Sequence, residues 1–247
     1  MLAPSRHEAI LGTLAHHGTV ATAEVAERLG VSVDTVRRDL LELESSGHLR
    51  RVHGGAVRPA PGPRRFTERV DRDAGGKAAV AALAAGLIRR GEVVAVGGGT
   101  TTLALARRLA PDSASTIVTA SPDVALALRD LPDVDVIVLG GTLDRTSQTL
   151  VGADTIAQIQ TLRPDMCVIG ACSIHPEVGL TMREREEAQV MRALVERSRR
   201  VVALATAEKL GTAAPYVVSE RVDTLVTDAP ASALDAYAQA GVELVRP

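Results

Sequence analysis

The 247-residue chain has no tryptophan, one phenylalanine and two tyrosines. A core must therefore be assembled almost wholly from Val, Leu, Ile and Ala. Cysteine is as scarce, with Cys167 and Cys172 the only two. Two cysteines make no disulfide framework. Their spacing also lacks the two further Cys or His partners of a zinc site, so buried apolar thiols are expected and no metal or cofactor is implied. No apolar run reaches the ~18 residues of a membrane span. The first six residues hold no apolar signal-peptide core, so a cytoplasmic chain without membrane attachment is the expectation. A content of 46% hydrophobic and 23% charged residues is globular rather than disordered. The length suits a small domain plus one of ordinary size.

Lysine is missing from residues 1–65, which carry nine Arg against seven acidic residues. The remainder carries 19 basic against 23 acidic residues, so a net charge of −2 conceals a +2 head on a −4 body. Five of the six histidines, His7, His16, His17, His48 and His53, also lie in the first segment. The asymmetry favours a head that contacts nucleic acid. It is small, so affinity requires two heads presented together.

The head has a matching pattern. Ile10, Leu11 and Leu14 mark a first helix over residues 4–17, which Gly18 ends. Thr22 is placed to cap a second helix over 23–29, with Val25, Ala26 and Leu29 turned inward. Gly30 makes the turn. Ser32 then caps a third helix, its hydroxyl accepting from a free N–H of the first turn. Val33, Val36, Leu40 and Leu43 follow at helical spacing as one buried stripe. Projection at 100° per residue centres the opposite face near Arg38, with Asp34, Thr35 and Glu42 around it and Arg37 on the flank. Gly47 stops this helix, and two short extended runs around Gly54-Gly55 predict a β-hairpin wing. Helix, short helix, turn, helix is the helix-turn-helix order, whose last helix enters a major groove. A three-helix unit with a hairpin also serves as a protein-interaction module, and Arg37-Arg38 also reads as an ordinary solvated pair.

Val31-Ser32, Thr35-Val36-Arg37-Arg38-Asp39-Leu40, Leu43-Glu44, Gly47 and Arg51-Val52-His53-Gly54-Gly55-Ala56 resemble the N-terminal signature of the DeoR family of bacterial transcriptional repressors. The resemblance implies double-stranded operator DNA as partner. Thr35 and Arg38 are expected to read base edges beside Asp34, and Thr22, Ser32, Arg37, Arg51 and His53 to position the head on phosphate.

Residues 58–63 hold three prolines, which disfavours helix and strand interiors. Arg64, Arg65 and Arg69 line the exit. A solvated hinge is the preferred reading over a spacer whose arginines approach phosphate. The expected domains are thus 1–58, a winged helix-turn-helix; 59–73, a linker; and 74–247, an α/β body. In the body, helices over 77–90, 101–109, 122–129, 185–196 and 234–240 alternate with strands over 93–96, 116–119, 134–139, 166–169, 201–205, 224–226 and 242–245. That alternation makes an α/β domain with a largely parallel sheet.

Ligands of such sheets bind beyond the strands' carboxyl ends. Gly97-Gly98-Gly99-Thr100-Thr101-Thr102 ends the first strand and opens a helix, which suits an anion held by backbone N–H groups and hydroxyls. It lacks the Lys of a P-loop and the third Gly of a dinucleotide fingerprint. A glycine turn serving only packing is the plainer alternative. Thr119 and Ser121, Gly141 with Arg145, and Lys209 end other strands and complete the expected site. Met182 to Glu187 reads as a solvated helix start.

The body is also similar to the DeoR family, through Gly99-Thr100-Thr101, Val118-Thr119, Gly140-Gly141, Gly152, Ile169-Gly170, Gly179-Leu180-Thr181, Glu187-Ala188, Lys209 and Thr227-Asp228. The resemblance implies a sensor domain with a fold resembling ribose-5-phosphate isomerase, a phosphorylated sugar or related metabolite as effector, and a homodimer or homotetramer. Two departures bear on the ligand. Val94-Ala95-Val96-Gly97 lacks the Asp that members commonly carry, and Thr206 stands where they commonly carry Asp. The alternative is a sugar-phosphate isomerase-like enzyme with a regulatory head. Glu184, Glu187 and Asp144 are its candidate bases, though no motif fixes any of them, and His175 is alone in the body.

Overall fold

The computed structural model describes residues 2–62, 65–111 and 116–247. Pro63 and Arg64 of the linker lie outside the described residues.

The head consists of α1 (Ala3–His17), β1 (Thr19–Ala21), α2 (Thr22–Leu29), α3 (Val33–Ser45), β2 (Arg50–Val52) and β3 (Gly55–Pro59). Ile10, Leu14, Val25, Val36, Leu40 and Leu43 share one apolar core. Gly30 adopts the left-handed conformation of the turn, at φ 63°. The wing forms as expected, with β2 antiparallel to β3 through Arg51↔Ala56. β1 adds on the other edge of β3 through Val20↔Ala56.

Two local expectations change. Thr22 is the first residue of α2 and not its cap, because its N–H is already taken by the Gly54 carbonyl at 2.8 Å. Val33 leaves the buried stripe and is 38% exposed. Asp39 is buried instead, because α1 supplies its counter-charge: Arg6 donates to both carboxylate oxygens at 2.7 Å. That guanidinium holds the Asp39 carboxyl below the usual range.

The body continues with α4 (Phe66–Arg69), α5 (Ala74–Ala85), β4 (Val93–Val96), α6 (Thr100–Ala106), β5 (Thr116–Thr119), α7 (Pro122–Leu128), β6 (Asp135–Val138), β7 (Thr142–Asp144), β8 (Thr149–Val151) and α8 (Ala153–Gln160). Then follow β9 (Met166–Gly170), β10 (Ser173–His175), β11 (Gly179–Met182), α9 (Arg185–Arg197), β12 (Arg200–Ala205), a 3₁₀ turn (Ala207–Lys209), β13 (Thr212–Ala213), β14 (Tyr216–Ser219), β15 (Thr224–Thr227), α10 (Asp235–Gln239) and β16 (Glu243–Val245). Seven strands form a wholly parallel sheet in the order β16-β15-β12-β9-β4-β5-β6. Each face is covered by its own aliphatic cluster, one around Val94, Ile117 and Leu204, the other around Val118, Ile169 and Leu194. From β4 the chain runs outward through β5 and β6, then returns to the other side of β4 as β9. The reversal puts the crevice between β4 and β9, where doubly wound sheets bind ligands.

α5 starts three residues before the expected 77, because the Asp73 carboxylate caps it by accepting from the Gly76 N–H at 3.2 Å. The linker is not an isolated spacer. β3 runs through Pro59, and Arg58 and Pro59 pair in parallel with Thr212 and Ala213 of β13. Pro59 is tolerated because it needs no N–H on this short edge. One strand thus belongs both to the wing and to the body.

Candidate nucleic-acid interface and ligand cavity

On α3, the Ser32 hydroxyl accepts from the Thr35 N–H at 3.1 Å and lies 2.9 Å from the Thr35 hydroxyl. Asp34 pairs with Arg37 at 2.9 Å, and Arg38 donates to the Asp34 carbonyl at 3.4 Å. Both arginines are exposed. Arg51 is held against Glu44 at 2.9 Å, and Arg50 reaches the same carboxylate at 3.0 Å. Thr22, Arg37, Arg51 and His53 line one groove between α3, the start of α2 and the wing, with Thr22 buried in it. Four of the eight residues assigned to DNA from sequence therefore converge there. Ser32, Asp34, Thr35 and Arg38 cluster at the N-terminal end of α3.

The second feature is a cavity at the β4/β9 crevice, with about 650 Å³ of empty space counting its open mouth. Gly98, Gly99 and Thr100 line it from the end of β4, Gly170 and Cys172 from beyond β9, and Glu208 and Lys209 from the turn after β12. Close approach is built into this floor: a side chain on Gly98 would put its Cβ 2.2 Å from the Thr149 hydroxyl. Gly97, Thr101 and Thr102 do not line the cavity but support it. Gly97 N–H bonds to Val168 O at 2.9 Å, and the Thr102 hydroxyl donates to Gly99 O at 2.9 Å. The Thr101 hydroxyl is buried with no hydrogen-bond partner among the described residues.

Four residues assigned to the effector fall elsewhere. Thr119 accepts from the Ser121 N–H at 3.0 Å, and Ser121 caps α7. Gly141 turns the chain between β6 and β7, and Arg145 is exposed in the β7–β8 turn. The physical reason is strand order: β5 and β6 lie on the far side of β4 from the crevice.

Lining residues that the sequence did not assign to the effector come from the linker, from α4 and α5, and from the start of α9 with the residues before it. Pro61, Gly62, Arg69 and Arg72 line the cavity, as do Lys77, Arg183, Glu184 and Glu187. The stretch read as a solvated helix start is therefore a cavity wall, with Glu187 only 7% exposed. Glu184, Glu187 and Glu208 supply the carboxylates that the β4 loop and Thr206 lack. Asp144, the third candidate base, instead accepts from the Ser147 hydroxyl at 2.8 Å and does not line the cavity. One signal was present in the sequence: of 28 basic residues only Lys77 and Lys209 are lysines, and both line this cavity.

Lys77, 6% exposed, donates to the carbonyls of Arg69, Val70 and Arg72 and so shapes the linker. Burial lowers its pKa. Burial also pulls Lys209 down to about 8, with Cys172, Arg69, Lys77 and Glu208 around it. Burial pushes Glu187 up to about 7, facing Arg69, Asp144 and Glu184. Arg183 forks onto the linker, donating to Gly62 O at 2.6 Å, Pro61 O at 2.7 Å and Ala60 O. Arg72 reaches back to Glu208 at 2.9 Å. Among the described residues no cluster of three His, Cys, Asp or Glu side chains is arranged to hold a metal ion, and no helix is long and apolar enough to cross a membrane.

A winged head that presents a recognition helix, joined to an α/β body with a switch-point cavity, defines a ligand-responsive class of transcriptional regulator. Residues 6–61 match the DeoR-like helix-turn-helix domain, and residues 72–229 match the DeoR C terminal sensor domain. The chain is 33% identical over 227 residues to the HTH-type transcriptional regulator GolR of Listeria innocua, covering 90% of this chain and 89% of that one. It is 33% identical over 233 residues to the HTH-type transcriptional repressor GlcR of Bacillus subtilis, at 92% and 89% coverage. With the glycerol-3-phosphate regulon repressor of Escherichia coli it shares 31% identity over 228 residues, at 91% and 90% coverage. The chain belongs to the DeoR family and is a DNA-binding transcriptional regulator. Ribose 5-phosphate isomerase A from Methanocaldococcus jannaschii aligns with 54% of this chain and 53% of that one, at TM-score 0.40 and 16% identity. That likeness is too weak to bear on function.

Proposed function

We propose that this regulator is a repressor of carbohydrate or polyol metabolism, controlled by a small phosphorylated metabolite in the β4/β9 cavity. The observation that carries this reading is the convergence of both lysines of the chain, with Arg69, on one enclosed crevice. Cations suit a phosphate, and Glu184, Glu187 and Glu208 suit the hydroxyls of the carbon chain. Residues 1–58 act as the DNA-binding head, 59–73 as the linker and 74–247 as the sensor. A homodimer or homotetramer presents paired heads to operator half-sites. Thr35 and Arg38 read base edges, while Ser32, Arg37, Arg51 and His53 track phosphate around the buried Thr22.

A thermal-shift panel of sugar and polyol phosphates, each beside its unphosphorylated parent, tests the ligand class. Only phosphorylated members should raise Tm, and Lys209→Met should abolish the rise. A panel in which no phosphorylated compound stabilises the wild type, or in which the parents do equally well, removes the phosphate assignment.

The cavity should also titrate near neutrality. Below pH 7 Glu187 is protonated and Lys209 is charged, so the site is at its most cationic. Rising pH adds a carboxylate near 7 and removes an ammonium near 8. Anion affinity should therefore fall from pH 6 to pH 9 in two steps, each on the order of tenfold. Sulfate is the suitable probe, since its own charge is constant over this range. By calorimetry, Glu187→Gln should erase the lower step and Lys209→Met the upper one. A flat wild-type profile contradicts the assignment of both groups.

The linker carries the signal in this reading. Arg183 is committed to three linker carbonyls at the cavity wall, and β13, paired with wing strand β3, begins three residues after Lys209. A phosphate that recruits Arg183 withdraws it from the linker. The ligand thereby favours one head arrangement over another through differential contacts.

A further inference from the structure

We propose that Val33 and Leu41, two exposed aliphatic side chains on α3, read thymine methyl groups in the operator. Val33 is 38% exposed and Leu41 is 50% exposed. A single exposed leucine on a protein surface is ordinary. These two are not scattered. With Arg37 between them they stand at i, i+4 and i+8, one ridge of the helix, and the ridge lies on the helix that enters the major groove. The buried side of α3 is formed by Val36, Asp39, Leu40 and Leu43. Val33 and Leu41 are therefore surplus to the core of the head, although both sequence positions are apolar.

The chemistry of the groove selects what they touch. Base pairs present donors and acceptors in the major groove, and the thymine C5 methyl is the apolar group offered there. A Val or Leu placed against G or C instead buries a polar edge without a partner, which disfavours those pairs. The polar neighbours on the same stretch, Asp34, Arg37 and Arg38, are held by one another through the 2.9 Å Asp34–Arg37 pair and the Arg38 contact to the Asp34 carbonyl. This arrangement fixes the ridge geometry before DNA arrives.

Spacing makes the inference specific. Eight residues of α-helix rise ~12 Å. Because the helix follows the inclined groove rather than the duplex axis, the two methyls fall at two separate base-pair steps within one half-site, on either strand. The pairs between them are those within reach of Arg37 and Arg38.

The test begins with selection of high-affinity sites from a randomised duplex library by the full-length wild-type protein. Each thymine of the selected site is then replaced singly by deoxyuridine, which removes only the methyl group. Two thymines per half-site, at separate base-pair steps, should each lose about three- to fivefold in affinity, the equivalent of one buried methyl group. Val33→Ser should abolish the methyl sensitivity at one of them and Leu41→Gln at the other. Thermal unfolding should be unchanged, because neither side chain packs in the core. A selected site indifferent to every thymine methyl overturns the proposal, as does a sensitivity that survives undiminished in both variants. Neither result touches the DNA-binding role itself, which the selection step reports on its own.

Discussion

Gly55→Ala is expected to cost the head about 3 kcal/mol or more and to abolish tight operator binding. Gly55 sits in β3 directly opposite Ala21 of β1 and Val52 of β2. A Cβ there would lie 1.9 Å from the Val20 carbonyl oxygen and 3.2 Å from the Ala21 Cα. Both obstacles are main chain, so no rotamer change relieves them, and β1 must separate from β3. A head of about 60 residues has only a few kcal/mol to lose. Operator affinity measured by fluorescence anisotropy should fall more than tenfold, while the thermal transition of the sensor persists. Gly12→Ala is the contrasting substitution in the same head. It lies in α1 with nothing within 4 Å of the added Cβ, and should stabilise by up to about 1 kcal/mol through helix propensity. Wild-type stability and binding in Gly55→Ala would contradict the close approach of β1 to β3.

Arg183→Ala should separate two properties that the wild type joins. Without effector, operator affinity should stay within about threefold of wild type, since Arg183 is remote from α3 in the chain and bonds only the linker among its described partners. The change in operator affinity on adding effector should collapse toward unity, from a wild-type value in the usual coupling range of about 5- to 150-fold. Arg183→Lys should restore it only in part, because a compact ammonium lacks the planar two-nitrogen fork by which the guanidinium meets Gly62 O on one side and Ala60 O and Pro61 O on the other. Titrations of operator with and without a saturating phosphorylated ligand measure the ratio directly. Full coupling in Arg183→Ala would show that the signal takes another route.

The recognition helix was legible because its information is local. Ser32 caps by its own side chain, Val36, Leu40 and Leu43 repeat at the helical period, and Gly30 and Gly47 mark the ends. The seven-stranded sheet was legible for a related reason, since its inner strands are short aliphatic runs buried on both faces, as in β4, β9 and β12. Asp39 could not be placed by period alone. Its burial depends on Arg6 and His7, more than thirty residues away in α1. The antiparallel trio β10, β11 and β14 was hidden by Ser173, His175 and Thr181, polar residues that are nonetheless buried. The cavity was legible only where one segment makes it, at Gly98-Gly99-Thr100 and at Lys209. Much of its remaining wall comes from Pro61, Gly62, Arg69, Arg72 and Lys77 and from Arg183, Glu184 and Glu187, brought together by the β4/β9 reversal and by the docking of the linker, and no spacing in the sequence encodes that juxtaposition. The scarcity of lysine encodes it indirectly. Arginine serves at every other basic position, while both lysines line this one cavity.

The strand shared by wing and body has a consequence for how graded the response can be. Its contact with β13 is only two residues long, Thr212↔Arg58 and Ala213↔Pro59. Side chains on a strand alternate between faces, so sliding this contact by one residue would set the side chains of β13 against the opposite face of β3. The two paired residues of the junction are therefore expected to form or separate together. So short a junction is within the few kcal/mol that one bound metabolite can supply. A response routed through this junction is expected to be graded by the fraction of molecules switched rather than by the degree to which each one moves.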